Sequence, residues 1–261
     1  QLSLYHDYTK IYRFCSLEQR KFLRLYLKRY EVELINYCLR IVINHYQEPF
    51  DLNYKKEFFD RYSQISLERL IRSRTTDELI ENLRDTEYYE TLKKMRDGRA
   101  VTLFDYDLAL NLYYFTTMWK GRKKVLKKKE LEIFTRDCGS KINLLNIQWI
   151  YRSKKYYHLS SSDIYTLLIP VNYRLKKEEV TRLAEAGSLD EFFNVLSGTR
   201  YGSLSRSVLR IEPDLEALYE QVMNQIYAVT ARKNPYSAAI LNSYFYFKNL
   251  EISRLITAIE C

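Results

Sequence analysis

Thr75-Thr76-Asp77-Glu78-Leu79-Ile80-Glu81-Asn82-Leu83-Arg84-Asp85-Thr86-Glu87-Tyr88 decides the fold, because it returns about 110 residues later. The second copy reads Ser188-Leu189-Asp190-Glu191-Phe192-Phe193-Asn194-Val195-Leu196-Ser197-Gly198-Thr199-Arg200-Tyr201. Each opens with a hydroxyl three residues before a glutamate, Thr75 with Glu78 and Ser188 with Glu191. That spacing is a capping box: the hydroxyl satisfies a free N–H of the first helical turn while the carboxylate reaches back. Both blocks continue with paired apolar residues and a leucine, then close on Thr-x-Tyr. Upstream, Leu67, Arg69 and Leu70 match Val180, Arg182 and Leu183.

A second element occurs three times: Val32-Glu33-Leu34-Ile35-Asn36, Ile142-Asn143-Leu144-Leu145-Asn146 and Leu250-Glu251-Ile252-Ser253-Arg254. Its two polar places lie three residues apart, so they share a helix face one turn apart. Glu33, Asn36, Asn143, Asn146, Glu251 and Arg254 are therefore candidates for a shared polar surface. Two readings stay open: they line a central socket, or they form buried hydrogen bonds between helices. A third element pairs Tyr106-Asp107-Leu108 with Pro213-Asp214-Leu215, each opening a helix.

Composition agrees with an all-α fold. The 261 residues include only 6 Gly and 4 Pro, too few for the frequent turns of an all-β chain. The 25 Tyr favour strands by propensity, but they sit inside helix-period segments instead of alternating with polar residues. Helices are predicted over Ser16–His45, Tyr54–Ile71, Thr76–Leu83, Asp107–Met118, Lys129–Arg152, Ser162–Ile169, Lys177–Ala186, Asp190–Leu196, Asp214–Thr230 and Tyr236–Glu260. Breaks are expected at Glu48-Pro49-Phe50, Asp97-Gly98, Pro170 and Asn234-Pro235, with Lys154–Leu159 extended. Three copies of one element against two of its companion suggest a shortened first unit, and no initiator Met opens the chain. The expected division is 1–50 as the remainder of a first helical unit, 51–160 as a second, and 161–261 as a third closing back on the first.

Several function classes find no support in the residues. His6, His45 and His158 are scattered, and no Cys/His cluster has zinc spacing. There is no GxSxG elbow, and Gly198-Thr199-Arg200-Tyr201-Gly202 lacks the lysine of a phosphate cradle. Asp77-Glu78 and Asp190-Glu191 fall in first helical turns, where they complement the helix dipole. Neither catalytic residue, metal nor cofactor is expected. The four cysteines give no disulfide framework and read as reduced thiols of an intracellular chain. No apolar run approaches the roughly 20 residues that span a bilayer.

Net charge is +9, and its densest source is Lys120-Gly121-Arg122-Lys123-Lys124 followed by Lys127-Lys128-Lys129. This run is either a solvated helix surface or a patch facing an anion. Tyr-flanked cations such as Arg152-Ser153-Lys154-Lys155-Tyr156-Tyr157 keep a nucleic-acid-binding helical repeat as the alternative function.

The string Ile142-Asn143-Leu144-Leu145-Asn146-Ile147-Gln148-Trp149-Ile150-Tyr151-Arg152-Ser153-Lys154-Lys155-Tyr156-Tyr157, the Thr-x-Tyr closures and Tyr244–Glu260 resemble the C subunit of V/A-type rotary ATPases, the relative of the d subunit in the eukaryotic vacuolar enzyme. The resemblance runs from about Tyr26 to Glu260. It implies three related helical units around a pseudo-threefold axis, forming a funnel that couples the central shaft to the membrane rotor ring for proton or sodium transport. It implies a non-catalytic subunit with no small-molecule substrate, peripheral on the cytoplasmic face of a membrane and not spanning it.

Overall fold

The computed structural model describes residues 2–46, 52–98, 102–204 and 214–260, all of their regular structure helical. The expected break at Glu48-Pro49-Phe50 and the helix-opening Pro213 lie outside them. Two compact units form: Gln1–Gly121 with Lys248–Cys261, and Arg122–Phe247. The division falls within the helices Leu103–Val125 (α7) and Ala239–Glu260 (α14).

The first unit is built on α2, Leu17–Ile43, after the short α1, Leu2–Phe14. Ser16 starts α2 with a complete capping box: its hydroxyl accepts from the Gln19 N–H, and the Gln19 side chain accepts from the Ser16 N–H. α2 buries residues on more than one face, from Phe22 and Leu23 through Tyr26, Tyr30 and Val32 to Leu39, so shorter helices must surround it. Those are α1, α3 (Asn53–Tyr62), α4 (Leu67–Arg72), α5 (Thr76–Glu81) and α6 (Tyr89–Asp97). Tyr5, Tyr8, Tyr30, Phe58 and Tyr62 meet largely edge to face, with Tyr8–Phe58 centroids 5.2 Å apart at 82°. Such pairs add about 0.5–1.5 kcal/mol beyond area burial. The tyrosines that suggested strands are the core of a helical unit.

The second unit is built on α8, Lys128–Arg152. Its companions are α9 (Ser161–Leu167), α10 (Lys177–Glu185), α11 (Leu189–Gly198), α12 (Arg200–Leu204) and α13 (Leu215–Lys233). Ile147, Ile150, Leu183, Phe192, Leu196, Leu218 and Tyr227 share one core.

Three departures from the predicted elements have local causes. Tyr54–Ile71 is two helices, because Ser63 is extended (φ −114°, ψ 161°) and Ser66 caps α4. Lys154–Leu159 is not extended. Ser153–Tyr157 continues α8 as a π-helical turn, closed by the left-handed His158 and a bond from the Leu159 N–H to the Ser153 carbonyl. α1, α6 and α12 fall outside every predicted helix. His45, just past α2, is also left-handed, at φ 53° against 49° for His158. Two of the three histidines therefore sit at the ends of the long helices, in a conformation that few residue types tolerate.

Gly139 lies inside α8, where glycine costs about 1 kcal/mol relative to alanine. A Cβ there would sit 2.4 Å from Cγ of Tyr173. Close approach of the 168–176 segment therefore outweighs helix propensity. Gly139→Ala is expected to lower unfolding stability by about 1–3 kcal/mol in urea titration. A gain of about 1 kcal/mol, the propensity effect alone, would show that Tyr173 yields freely.

Candidate functional site

The two repeated blocks are locally alike. In the first, the Glu78 N–H donates to Thr75 Oγ1 (3.1 Å) and Glu78 Oε2 accepts from the Arg74 N–H (2.8 Å). In the second, the Glu191 N–H donates to Ser188 Oγ (3.1 Å) and Glu191 Oε2 accepts from the Gly187 N–H (2.7 Å). The carboxylate thus reaches one residue further back than in a standard capping box, and does so in both places. Each closure threonine folds over its own turn: Thr86 Oγ1 donates to the Leu83 carbonyl and Thr199 Oγ1 to the Leu196 carbonyl, both at 2.7 Å.

Each closure tyrosine is then held by its unit's long helix. Tyr88 donates to Glu31 Oε2 at 2.6 Å, and Ser63 donates to the other oxygen of that carboxylate. Asn143 Nδ2 donates to the Tyr201 hydroxyl (2.9 Å) and to the Tyr173 carbonyl (2.8 Å). Five residues on, Asn36 Nδ2 donates to Asp107 Oδ1 at 2.5 Å, while Gln148 Nε2 donates to Glu216 Oε2 at 3.0 Å. Four residues further, the Arg40 charge acts on Asp107, and Arg152 forms an ion pair with Glu216. Glu31 to Asn143, Asn36 to Gln148 and Arg40 to Arg152 are one and the same interval along the chain. Matching Glu33 with Asn143, as string similarity suggests, is therefore two residues out of register: Glu31 occupies the corresponding place.

The six candidate residues separate into exposed and buried positions. Glu33 is exposed and pairs with Arg29 one turn earlier (2.9 Å). Asn36 is half-buried on Asp107. Asn143 and Asn146 are buried; Asn146 donates to the Ile169 carbonyl (3.0 Å) and accepts from the Ile169 N–H (2.9 Å). Glu251 is exposed beside Lys248 (3.0 Å), and Arg254 is exposed. Glu33, Asn36, Glu251 and Arg254 belong to one unit, Asn143 and Asn146 to the other. For the two buried asparagines the hydrogen-bonding reading holds. An exposed pair such as Glu251–Lys248 contributes at most about 1 kcal/mol, which leaves its charges available to a partner.

Sequence patterns missed Asp137, on the buried side of α8. Its carboxylate accepts from Arg136 Nε (3.0 Å) and Nη2 (2.9 Å) and from Thr230 Oγ1 of α13 (3.0 Å). Burial outweighs these contacts and pushes its pKa up to about 6. The available signal was an acid within the apolar pattern Ile133, Phe134, Cys138. Burial likewise pushes the Cys38 and Cys138 thiols up to about 12, which makes them poor nucleophiles.

A cleft of about 620 Å³ opens beside Gln148, Tyr151, Arg152, Lys155, Tyr156 and Glu216. The cations of this Tyr-flanked motif are engaged within the chain: Arg152 with Glu216, Lys154 Nζ on the Ala186 carbonyl (2.7 Å), and Lys155 Nζ on the Tyr151 hydroxyl (2.9 Å). Among the described residues no three His, Cys, Asp or Glu converge to hold a metal ion, and no helix is long and apolar enough to cross a membrane.

The family model described as "ATP synthase (C/AC39) subunit" matches residues 1–261. The A-type ATP synthase C subunit of Methanosarcina mazei is 25% identical over 254 residues, covering 95% of this chain and 68% of the relative. That of Methanosarcina barkeri is 25% identical over 252 residues, with the same coverage of both. That of Methanocaldococcus jannaschii is 26% identical over 182 residues, covering 66% of this chain and 42% of the relative.

Two outcomes are expected in chemical denaturation. Tyr88→Phe removes a donor from a buried carboxylate and should cost about 1.5–3 kcal/mol, whereas Tyr201→Phe, which leaves Asn143 its carbonyl partner, should cost about 0.5–1.5 kcal/mol. Asp137 holds its proton more tightly folded than unfolded, about 6 against 3.8. Its stabilising contribution is therefore full below about pH 4 and is lost as pH rises through about 6. Between those limits the protein should lose about 1.4 kcal/mol per pH unit relative to Asp137→Asn. A difference that stays flat with pH would mean that Asp137 is ionised throughout.

Proposed function

The chain belongs to the ATP synthase (C/AC39) subunit family, that of the C and d subunits of V/A-type rotary ATPases, and from that premise we propose that it is the socket of the central rotor. In this reading it joins the foot of the central shaft to the membrane rotor ring on the cytoplasmic side. It passes torque between ATP-driven rotation and the movement of protons or sodium ions, and it performs no bond chemistry of its own. Three related units around a pseudo-threefold axis, with limits at 1–50, 51–160 and 161–261, would give the socket a funnel form.

The observation that carries this reading is the recurring clamp on the long helices. In α2 and again in α8, an amide side chain bonds a carboxylate of the next long helix, the charge of an arginine one turn on acts on that carboxylate, as an ion pair in α8, and another polar group bonds the closure tyrosine. Such links resist sliding between helices, and close-packed interiors compress little, so a load applied at one end reaches the other. Glu33, Glu251 and Arg254 are the exposed members of the polar repeat and are the residues we assign to partner contacts. Charges of that kind set orientation and association rate more than affinity.

Affinity capture of the tagged chain from detergent-solubilised native membranes should recover both shaft and ring subunits. Membranes depleted of the chain should retain ATP hydrolysis by the catalytic head but lose ATP-driven ion uptake. Capture without either partner, or ion uptake unchanged by depletion, would overturn the assignment.

A further inference from the structure

The connection between α7 and α8 carries Lys123, Lys124, Lys127, Lys128 and Lys129, all exposed. Its backbone is set against its own charges. Lys123 and Lys124 end α7, where the dipole favours cations, but Lys128 and Lys129 open α8, where it disfavours them. Lys127 stands at the N-cap and supplies no side-chain cap. Lys128 holds φ at 47°, the left-handed region that costs a non-glycine residue energy. The nearest acid, Glu130, accepts from the Ala239 N–H (3.4 Å).

The tip is also stiff. Leu126 is buried, and the buried Arg122 donates from Nε to Thr135 Oγ1 at 3.0 Å, so the cations are displayed on a fixed turn. Local rules broken together in this way mark a functional position more often than a neutral one.

We propose that the α7–α8 tip is a contact for anionic phospholipid headgroups. Three features of the tip select this occupant. The exposed cations are all lysines, which attract a charged surface as points, whereas arginine would fork onto a single phosphate. No aromatic residue occurs between Lys120 and Glu130, so the run itself offers no ring to stack on bases. Its single sign of charge complements the negative surface of a cytoplasmic leaflet. The placement beside a membrane rests on the rotor reading; the lysine geometry does not.

Vesicle flotation of the purified chain tests the idea without any other ATPase subunit. The protein should float with phosphatidylcholine vesicles containing roughly one-third phosphatidylglycerol, remain behind with pure phosphatidylcholine, and release as salt rises. The triple variant Lys124→Gln, Lys127→Gln, Lys128→Gln should bind on the order of a hundredfold more weakly, about fivefold per lysine. The control variant Lys10→Gln, Lys21→Gln, Lys177→Gln, with the same change in net charge on exposed lysines elsewhere, should bind nearly as tightly as the parent. Equal loss in both variants, equal flotation with neutral vesicles, or tighter binding to a single-stranded oligonucleotide than to anionic vesicles would each overturn the proposal. Flotation that fails while membrane capture of shaft and ring succeeds rejects this contact alone; the reverse result rejects the rotor reading alone.

Discussion

Each unit depends on a polar grip from a long helix, α2 or α8, on short helices that cannot stand alone. α4 and α5 have six residues each, far below the length at which an isolated helix offsets its nucleation cost. They persist because their caps are satisfied and because the turn that follows them is tied to α2 through Tyr88 and Glu31. In the second unit α11 and α12 are tied to α8 through Tyr201 and Asn143. The same tyrosine hydroxyl therefore meets a carboxylate in one unit and an amide in the other. The carboxylate makes the stronger bond and leaves the larger penalty when its donor is lost.

The carboxylate clamps extend this logic to the long helices themselves. Asp107, half-buried, and Glu216, exposed, each lie near an amide and an arginine. Asp137 is different: it is fully buried, and its neighbouring arginine does not offset its desolvation. It spaces α8 from α13 through Thr230 at some cost in stability near neutral pH.

Surface chemistry divides in a similar way. The Tyr-flanked cations Arg152, Lys154 and Lys155 each make a contact within the chain, whereas the lysines between α7 and α8 have none of those partners. Two runs that look alike as strings of basic residues thus differ in what they offer to another molecule. Only the first is pinned by a facing carboxylate.

Helix class and the capping of the two blocks were legible in the residues, because helical period and N-caps are local properties decided within a few positions. Thr75 and Ser188 cap helices where their spacing said they should. The burial of Asp137 was not legible, since it is set by Thr230 of α13, a partner distant in the chain. The register of the polar repeat is the clearest case. Two residues turn an α-helix by about 200°, so Glu31 and Glu33 face opposite ways although either aligns acceptably with Asn143. Only packing against Tyr88 and Ser63 selects Glu31, because a buried carboxylate must find its donors and an exposed one need not.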